Sequence, residues 1–204
     1  MAPEEEIMEL AEIDRSVVVV IDLQGKLVEQ VHRPELVQAA TCRLMKIADL
    51  FGVPVALTEQ YPRGLGATRP EILEVFDALG VARRRFEKVA FGCFAEPGFA
   101  ELLAELRPGV PPGRMQLVVA GIEAHVCVMQ TVLAGRAAGY GVQVCWEAVS
   151  GRGVEHRQWA LERMRQAGAQ ITSLESVAFE WARDKNHPSF KALSALLKEG
   201  QLGG

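Results

Sequence analysis

The chain has 204 residues, a net charge of −4, 49% hydrophobic residues and 24% charged residues. That balance is ordinary for a globular protein, and the length suits one domain over residues 1–204 with a sizeable core. It offers no electrostatic footprint for nucleic acid or an anionic membrane, so neither is an expected partner.

The N-terminus, Met1-Ala2-Pro3-Glu4-Glu5-Glu6, is acidic and fits neither a secretory signal nor a transit peptide. Residues 4–14 suit one or two amphipathic turns, with Ile7, Leu10 and Ile13 on a face. Residues 16–22 form the first clear strand. Val17, Val18, Val19, Val20 and Ile21 do not alternate with polar residues, so both faces are expected to be covered, and the run is far too short to span a bilayer. Asp22 ends it. An acid at the carboxyl end of such a strand points into the region where open α/β sheets bind ligands, and it also suits capping of a following helix.

Residues 34–51 predict a long helix with Leu36, Ala40, Leu44, Ile47 and Leu50 inward, closed by Gly52. Residues 53–58 predict a second strand, and 59–66 a loop full of turn residues. A helix over 70–79 and a short strand over 81–86 follow, with Glu87-Lys88 at its end. Residues 99–106 predict a helix after the break at Pro97-Gly98, and 107–114 a surface connection rich in proline and glycine. The fourth strand begins at Leu117 and is punctuated by Gly121. A helix over 124–138 follows it, then a strand over 142–146, a loop at Ser150-Gly151-Arg152-Gly153, and a helix over 155–167 with Trp159, Ala160, Met164 and Ala167 inward. A short strand over 169–172, a helix over 174–183 capped by Ser173, a last helix over 188–198 and a frayed tail at 201–204 complete the chain. Strand and helix alternate to the end. This predicts a doubly wound, Rossmann-like α/β fold: a six-stranded parallel sheet in the order 3-2-1-4-5-6, with helices on both faces.

Three reactive side chains fall at equivalent places. Asp22 ends the first strand, Lys88 follows the third and Cys127 follows the fourth. In this strand order the sheet reverses between strands one and four, so Asp22 and Cys127 flank the crevice. Strand three lies about 10 Å from strand one, so Lys88 must reach inward with its long side chain. The first turn of a helix gathers free N–H groups and the positive end of the dipole, which favours a thiolate at Cys127. A lone thiol is only a few per cent ionised at neutral pH. Asp22 can take its proton, Lys88 can steady both negative groups, and N–H groups near Glu123 and Cys127 can hold an oxyanion. Each residue also has a plainer reading: Cys127 as a small buried hydrophobe, Lys88 as a solvated surface lysine. His125 is two residues from Cys127, a helical spacing that does not bring side chains face to face, so it is not expected to serve as base.

Cys42, Cys93, Cys127 and Cys145 include no CxxC pair and no metal-ligand spacing. Their scatter suggests reduced thiols and a cytoplasmic protein. No G-x-G-x-x-G follows the first strand, which disfavours nucleotide binding.

Five segments carry a resemblance: Val-Ile-Asp22-Leu-Gln24, Glu59-Gln60-Tyr61-Pro62, the Lys88 segment, Gly121-Ile-Glu-Ala-His-Val-Cys127-Val and Ala160-Leu-Glu-Arg-Met164-Arg-Gln-Ala-Gly168. Over nearly the whole chain they resemble the isochorismatase-like cysteine hydrolases, and Asn186-His187-Pro188-Ser-Phe190-Lys191 resembles the isochorismatase-domain-containing subgroup. The resemblance implies a catalytic set of Asp22, Lys88 and Cys127, and a cis peptide between Ile122 and Glu123 that turns the Glu123 N–H toward the oxyanion. It implies hydrolysis of a small amide or related acyl compound through a Cys127 thioester, and a homo-oligomer, dimer or higher, for which Trp181, Phe179 and the last helix are candidate contacts. Gln24, Gln60, Tyr61 and Phe91 are the candidates for shaping the substrate pocket. Two departures matter. Relatives that act as nicotinamidases carry an Asp-x-His metal motif where this chain has Thr58-Glu59-Gln60-Tyr61, so neither metal nor other cofactor is expected. Isochorismatases proper cleave a vinyl ether and lack the cysteine, so Cys127 argues against that reaction. Cys93, in Phe91-Gly92-Cys93-Phe94, stands where a small residue is common and lines the site. The competing reading is a non-catalytic binding or scaffold protein on the same fold.

Overall fold

A computed structural model describes residues 9–198. The strands are β1 (Ser16–Ile21), β2 (Val55–Gln60), β3 (Arg83–Lys88), β4 (Gln116–Gly121), β5 (Gly141–Val149) and β6 (Gln170–Thr172). Between and after them run α1 (Gly25–Glu29), α2 (Pro34–Leu50), α3 (Pro62–Leu65), α4 (Pro70–Ala78), α5 (Phe99–Leu106), α6 (Met129–Ala137), α7 (Val154–Gln166), α8 (Leu174–Ala182) and α9 (Phe190–Lys198). The strands pair in parallel in the order β3-β2-β1-β4-β5-β6, as the alternation of elements predicts.

The β1 run explains the layering. Every residue of it is buried. Val18 and Val20 face a cluster built with α2, α4, α8 and α9, while Val17, Val19 and Ile21 face a second one built with α5, α6 and α7. Burial of a valine side chain contributes about 1.5–3 kcal/mol, so a strand without polar alternation is stable only with helices on both sides. At its base, Trp181 Nε1 donates to Ser16 Oγ at 3.1 Å, tying α8 to the central strand.

Several boundaries differ from the sequence expectation. β3 runs two residues later than expected, and Lys88 is its last residue rather than one beyond it. β3 is an edge strand, and Arg83, Arg84 and Arg85 lie along it; charge on an edge deters pairing with another chain and hides the strand from a search for apolar runs. Glu59 and Gln60 end β2 rather than opening a loop. β5 extends to Val149, past an irregularity in its pairing with β4. Leu36 and Trp159, expected inward, are exposed. The buried stripe of α2 runs through Val37, Ala40, Leu44 and Ala48, and that of α7 through Ala160 and Met164. Trp181 is core, leaving Phe179 as the exposed aromatic of α8. No helix covers residues 9–14, and the rest of the expected N-terminal turns and the expected tail lie outside the described residues. Among the described residues, no helix is long and apolar enough to cross a membrane.

Candidate active site

The carboxyl ends of the central strands bring the site together. Asp22 follows β1 with a positive φ of 52°, a conformation that aspartate tolerates better than most residues. The residue before it, Ile21, pairs across the sheet with Gly121, where an added Cβ would lie 2.1 Å from the Ile21 carbonyl oxygen. Only glycine lets β4 run this close beside the Ile21 backbone, and its φ of 124° is one that L side chains rarely adopt.

Lys88, at the end of β3, reaches past β2 to the end of β1. Its Nζ donates to Asp22 Oδ2 at 2.6 Å, to Gln60 Oε1 at 2.7 Å and to the Phe91 carbonyl at 2.9 Å. The other carboxylate oxygen, Oδ1, accepts from Thr58 Oγ1 at 2.7 Å. Asp22, Lys88 and Thr58 are all buried. The pairing register sets this arrangement: Ile21 lies opposite Thr58, and Gln60 opposite Lys88.

Cys127 completes the group, with its thiol beside the Asp22 carboxylate. The expectation of a resting thiolate is corrected here. Burial pushes the Cys127 thiol up to about 12, the adjacent Asp22 charge adds to the rise, and the Lys88 ammonium offsets part of it. The backbone differs too. Residues Ala124–Val128 form a π-helical turn, and the α-helix starts only at Met129. The N–H groups of Val126 and Val128 are taken by the Glu123 carbonyl, at 3.0 and 3.3 Å, so the turn does not present an open ring of donors. The Ile122–Glu123 peptide is cis.

The family assignment rests on the whole length of this framework. The isochorismatase domain matches residues 16–176, from β1 into α8. The chain belongs to the isochorismatase family. Isochorismatase family protein 1B of Dictyostelium discoideum is 33% identical over 186 residues, covering 91% of this chain and 87% of that protein. The secreted isochorismatase effector Isc1 of Phytophthora sojae is 40% identical over 160 residues, covering 78% and 73%. Isochorismatase domain-containing protein 1 of Danio rerio is 38% identical over 156 residues, and the match spans 76% of this chain but only 51%, about half, of that relative. Among solved structures, the MAR1 ribonuclease from Caenorhabditis elegans superposes with a TM-score of 0.83 at 29% identity, over 96% of this chain and 95% of that one. The YcaC gene product of Escherichia coli, described as an octameric hydrolase of unknown specificity, shares the fold with a TM-score of 0.74 at 24% identity, over 93% and 97%.

Within this isochorismatase framework the four pocket candidates separate. Gln24 is spent on the scaffold: its Nε2 donates to the carbonyls of Gln60 and Gly66 at 3.0 and 2.7 Å, and its Oε1 accepts from the Gln60 N–H at 2.6 Å. Gln60 holds Lys88, and its Nε2 donates to the Val89 carbonyl at 2.6 Å. Tyr61 and Phe91 are 52% and 55% exposed at the same end of the sheet, and remain the candidates for a pocket wall. His125 stacks on His156, ring centroids 4.4 Å apart, and its Nε2 lies 3.6 Å from Glu123 Oε2. Burial lowers its pKa, and Glu123 opposes that shift. The Glu123 carboxylate also accepts from Arg152 Nε at 2.9 Å. Among the described residues, no group of His, Cys, Asp and Glu is arranged to hold a metal ion.

Sequence reasoning missed Thr58 and Thr131 as site residues and gave Cys93 no partner. Thr131 Oγ1 donates to the Cys127 carbonyl at 2.7 Å and accepts from the Cys93 N–H at 3.0 Å. Burial pushes the Cys93 thiol up to about 11, with the Asp22 charge again adding to it. The one signal available was the cross-strand register, which places a hydroxyl of β2 opposite the end of β1.

Proposed function

We propose that this protein is a cysteine-dependent hydrolase of a small amide or related acyl compound, with Cys127 as nucleophile, Asp22 as general base and acid, and Lys88 as electrostatic support. One observation carries the reading: the Cys127 thiol lies beside the buried Asp22 carboxylate, which Lys88 Nζ holds at 2.6 Å. Membership of the isochorismatase family supports the broader hydrolase role.

The high thiol pKa shapes the mechanism. Cys127 rests as a thiol and loses its proton to Asp22 only as its sulfur attacks the substrate carbonyl. The N–H groups of Glu123 and Cys127 hold the developing oxyanion. The tetrahedral adduct collapses, the C–N bond breaks, and Asp22 returns the proton to the leaving amine. A water then gives a proton to Asp22 and attacks the thioester. The acid product leaves and Cys127 recovers its proton. Throughout, Lys88 keeps Asp22 oriented and balances its charge.

The name of the C. elegans neighbour raises a second reading, a ribonuclease. A net charge of −4, and a site cation already paired with Asp22, make this the weaker one. The four cysteines are unpaired, which supports a reducing, cytoplasmic setting, although one relative is named as secreted. Homo-oligomer formation is part of the same proposal, with exposed Phe179, Val154 and Trp159 as candidate contacts.

A panel of small amides, screened for released ammonia or amine, tests the activity, with RNA as a parallel substrate. Turnover by the parent protein should vanish in Cys127→Ala and fall by orders of magnitude in Asp22→Asn. Amidase turnover retained in both variants overturns the mechanism, and thiol-independent RNA cleavage supports the second reading.

A further inference from the structure

Two of the four cysteines share one core cluster. Cys93 and Cys127 lie on the α5–α7 face of the sheet, whereas Cys42 and Cys145 lie on the other. A single hydroxyl joins the pair, because Thr131 accepts from the Cys93 N–H and donates to the Cys127 carbonyl. The Cys93 thiol lies close enough to Thr131, Thr58 and Asp22 for all three to act on its ionisation, and Thr58 donates to the Asp22 carboxylate beside the Cys127 thiol. Gly92 permits the approach of the two segments, since a Cβ there would lie 3.1 Å from Gln130 Cβ and 3.3 Å from the Gln130 carbonyl carbon. The hydrolysis proposed above uses one sulfur, which leaves the second thiol in the same network without a role.

We propose that Cys93 is a resolving thiol: oxidation of Cys127 by a peroxide is trapped as a Cys93–Cys127 disulfide, a modification that closes the site reversibly. Asp22 takes the Cys127 proton, and the sulfur attacks one peroxide oxygen. The S–O bond forms, the O–O bond breaks, and the released hydroxide recovers a proton to become water. The Cys93 sulfur then attacks the Cys127 sulfenic acid. The S–S bond forms, the S–O bond breaks, and a second water leaves with the Cys93 proton. The two thiols supply two electrons to the peroxide, and a reduced thiol pool reverses the bond. Without Cys93, Cys127 continues to the sulfinic acid, which thiols do not reverse.

The proposal rests on the functional reading only for its effect on turnover, because the bond itself is read by mass. Full-length protein is treated with hydrogen peroxide at neutral pH, its remaining thiols are alkylated under denaturing conditions, and non-reduced peptides are mapped. A linked peptide holding Cys93 and Cys127 is expected, with a loss of about 2 Da that dithiothreitol restores together with turnover. In Cys93→Ser and Cys93→Ala, sulfinic Cys127 is expected instead, with recovery at least about tenfold lower. Absence of the linked peptide in the parent protein, with Cys127 reaching the sulfinic acid as fast as in the variants, overturns the proposal. So does pairing of Cys127 with Cys42, Cys145 or a second chain. A linked peptide alongside turnover that survives Cys127→Ala keeps the modification site and removes the hydrolase mechanism.

Discussion

Lys88 Nζ lies 2.6 Å from Asp22 Oδ2, and neither side chain has any contact with solvent. Taking two charges out of water is costly, so this pair is weak evidence for stability and better understood as a device held in place for chemistry. The two residues act on Cys127 in opposite senses, since the carboxylate raises the thiol pKa and the ammonium lowers it.

That opposition separates reactivity from turnover. In Asp22→Asn, alkylation of Cys127 by iodoacetamide at pH 9–10 should be faster than in the parent protein, because the charge that suppresses ionisation is gone. In Lys88→Met it should be slower. Amide turnover should fall in both, by about 10²–10⁴-fold in Asp22→Asn. In the parent protein, alkylation at Cys127 should climb steadily through the alkaline range. An alkylation profile with a midpoint below pH 8 contradicts the resting thiol.

The Thr58 hydroxyl is expected to orient the base. Thr58→Val removes the donor to Asp22 Oδ1 without a large change in shape, leaving a buried carboxylate oxygen short of a partner at a cost of about 1–3 kcal/mol. Turnover should drop with little change in KM, and Thr58→Ser should restore most of it. Urea unfolding and steady-state kinetics on the two variants separate the effects. Turnover retained in Thr58→Val and lost in Thr58→Ser would mean that packing of the methyl group matters, not the hydrogen bond.

Alkaline pH should weaken the fold. Burial, the first cause in each case, raises the Cys93 thiol to about 11 and the Cys127 thiol to about 12, from an ordinary value of 9.0. In the unfolded chain these thiols release their protons near pH 9, while in the folded protein they keep them. Their stabilising contribution is therefore whole below pH 9 and declines as pH rises toward 11–12, by about 1.4 kcal/mol per pH unit for each thiol. Thermal unfolding between pH 8 and 11 should show a falling Tm, with a shallower slope in Cys93→Ala. A Tm slope unchanged by that substitution removes Cys93 from the linkage.

Gln24 should behave as a structural clamp. Gln24→Ala strands the Gln60 N–H and the carbonyls of Gln60 and Gly66, and should destabilise the protein by about 1–3 kcal/mol. Hydrogen exchange should quicken at Gln60 more than at α5 or α7. Uniform acceleration across the protein would indicate global loosening instead.

The layered sheet was legible because valine-rich runs and amphipathic helices obey simple periods. The alternation of elements implied a parallel sheet, the common doubly wound order supplied 3-2-1-4-5-6, and that is the order observed. β3 was misplaced because its outward charges and edge position carry no apolar run. Trp159 was placed inward with Ala160, Met164 and Ala167, yet it lies off the Ala160–Met164 stripe and is 70% exposed. At the site, the sequence positions of Asp22, Lys88 and Cys127 at or after strand ends were informative, and the resemblance added their reading as one catalytic set. The thiol's protonation state was misjudged because helix position alone says nothing about how dry a side chain is. The roles of Thr58 and Thr131 depend on which atom faces which across neighbouring segments, and no one-dimensional period records that.

The contact between Asp22 and Lys88 links residues 66 positions apart through three adjacent parallel strands. A slip of one residue between β2 and β3 would turn the Lys88 side chain to the opposite side of the sheet while leaving most backbone pairing intact. Catalytic competence is thus a vernier for sheet assembly: during refolding, circular dichroism should recover before turnover does, and the interval between them measures how long the edge strand takes to find its place.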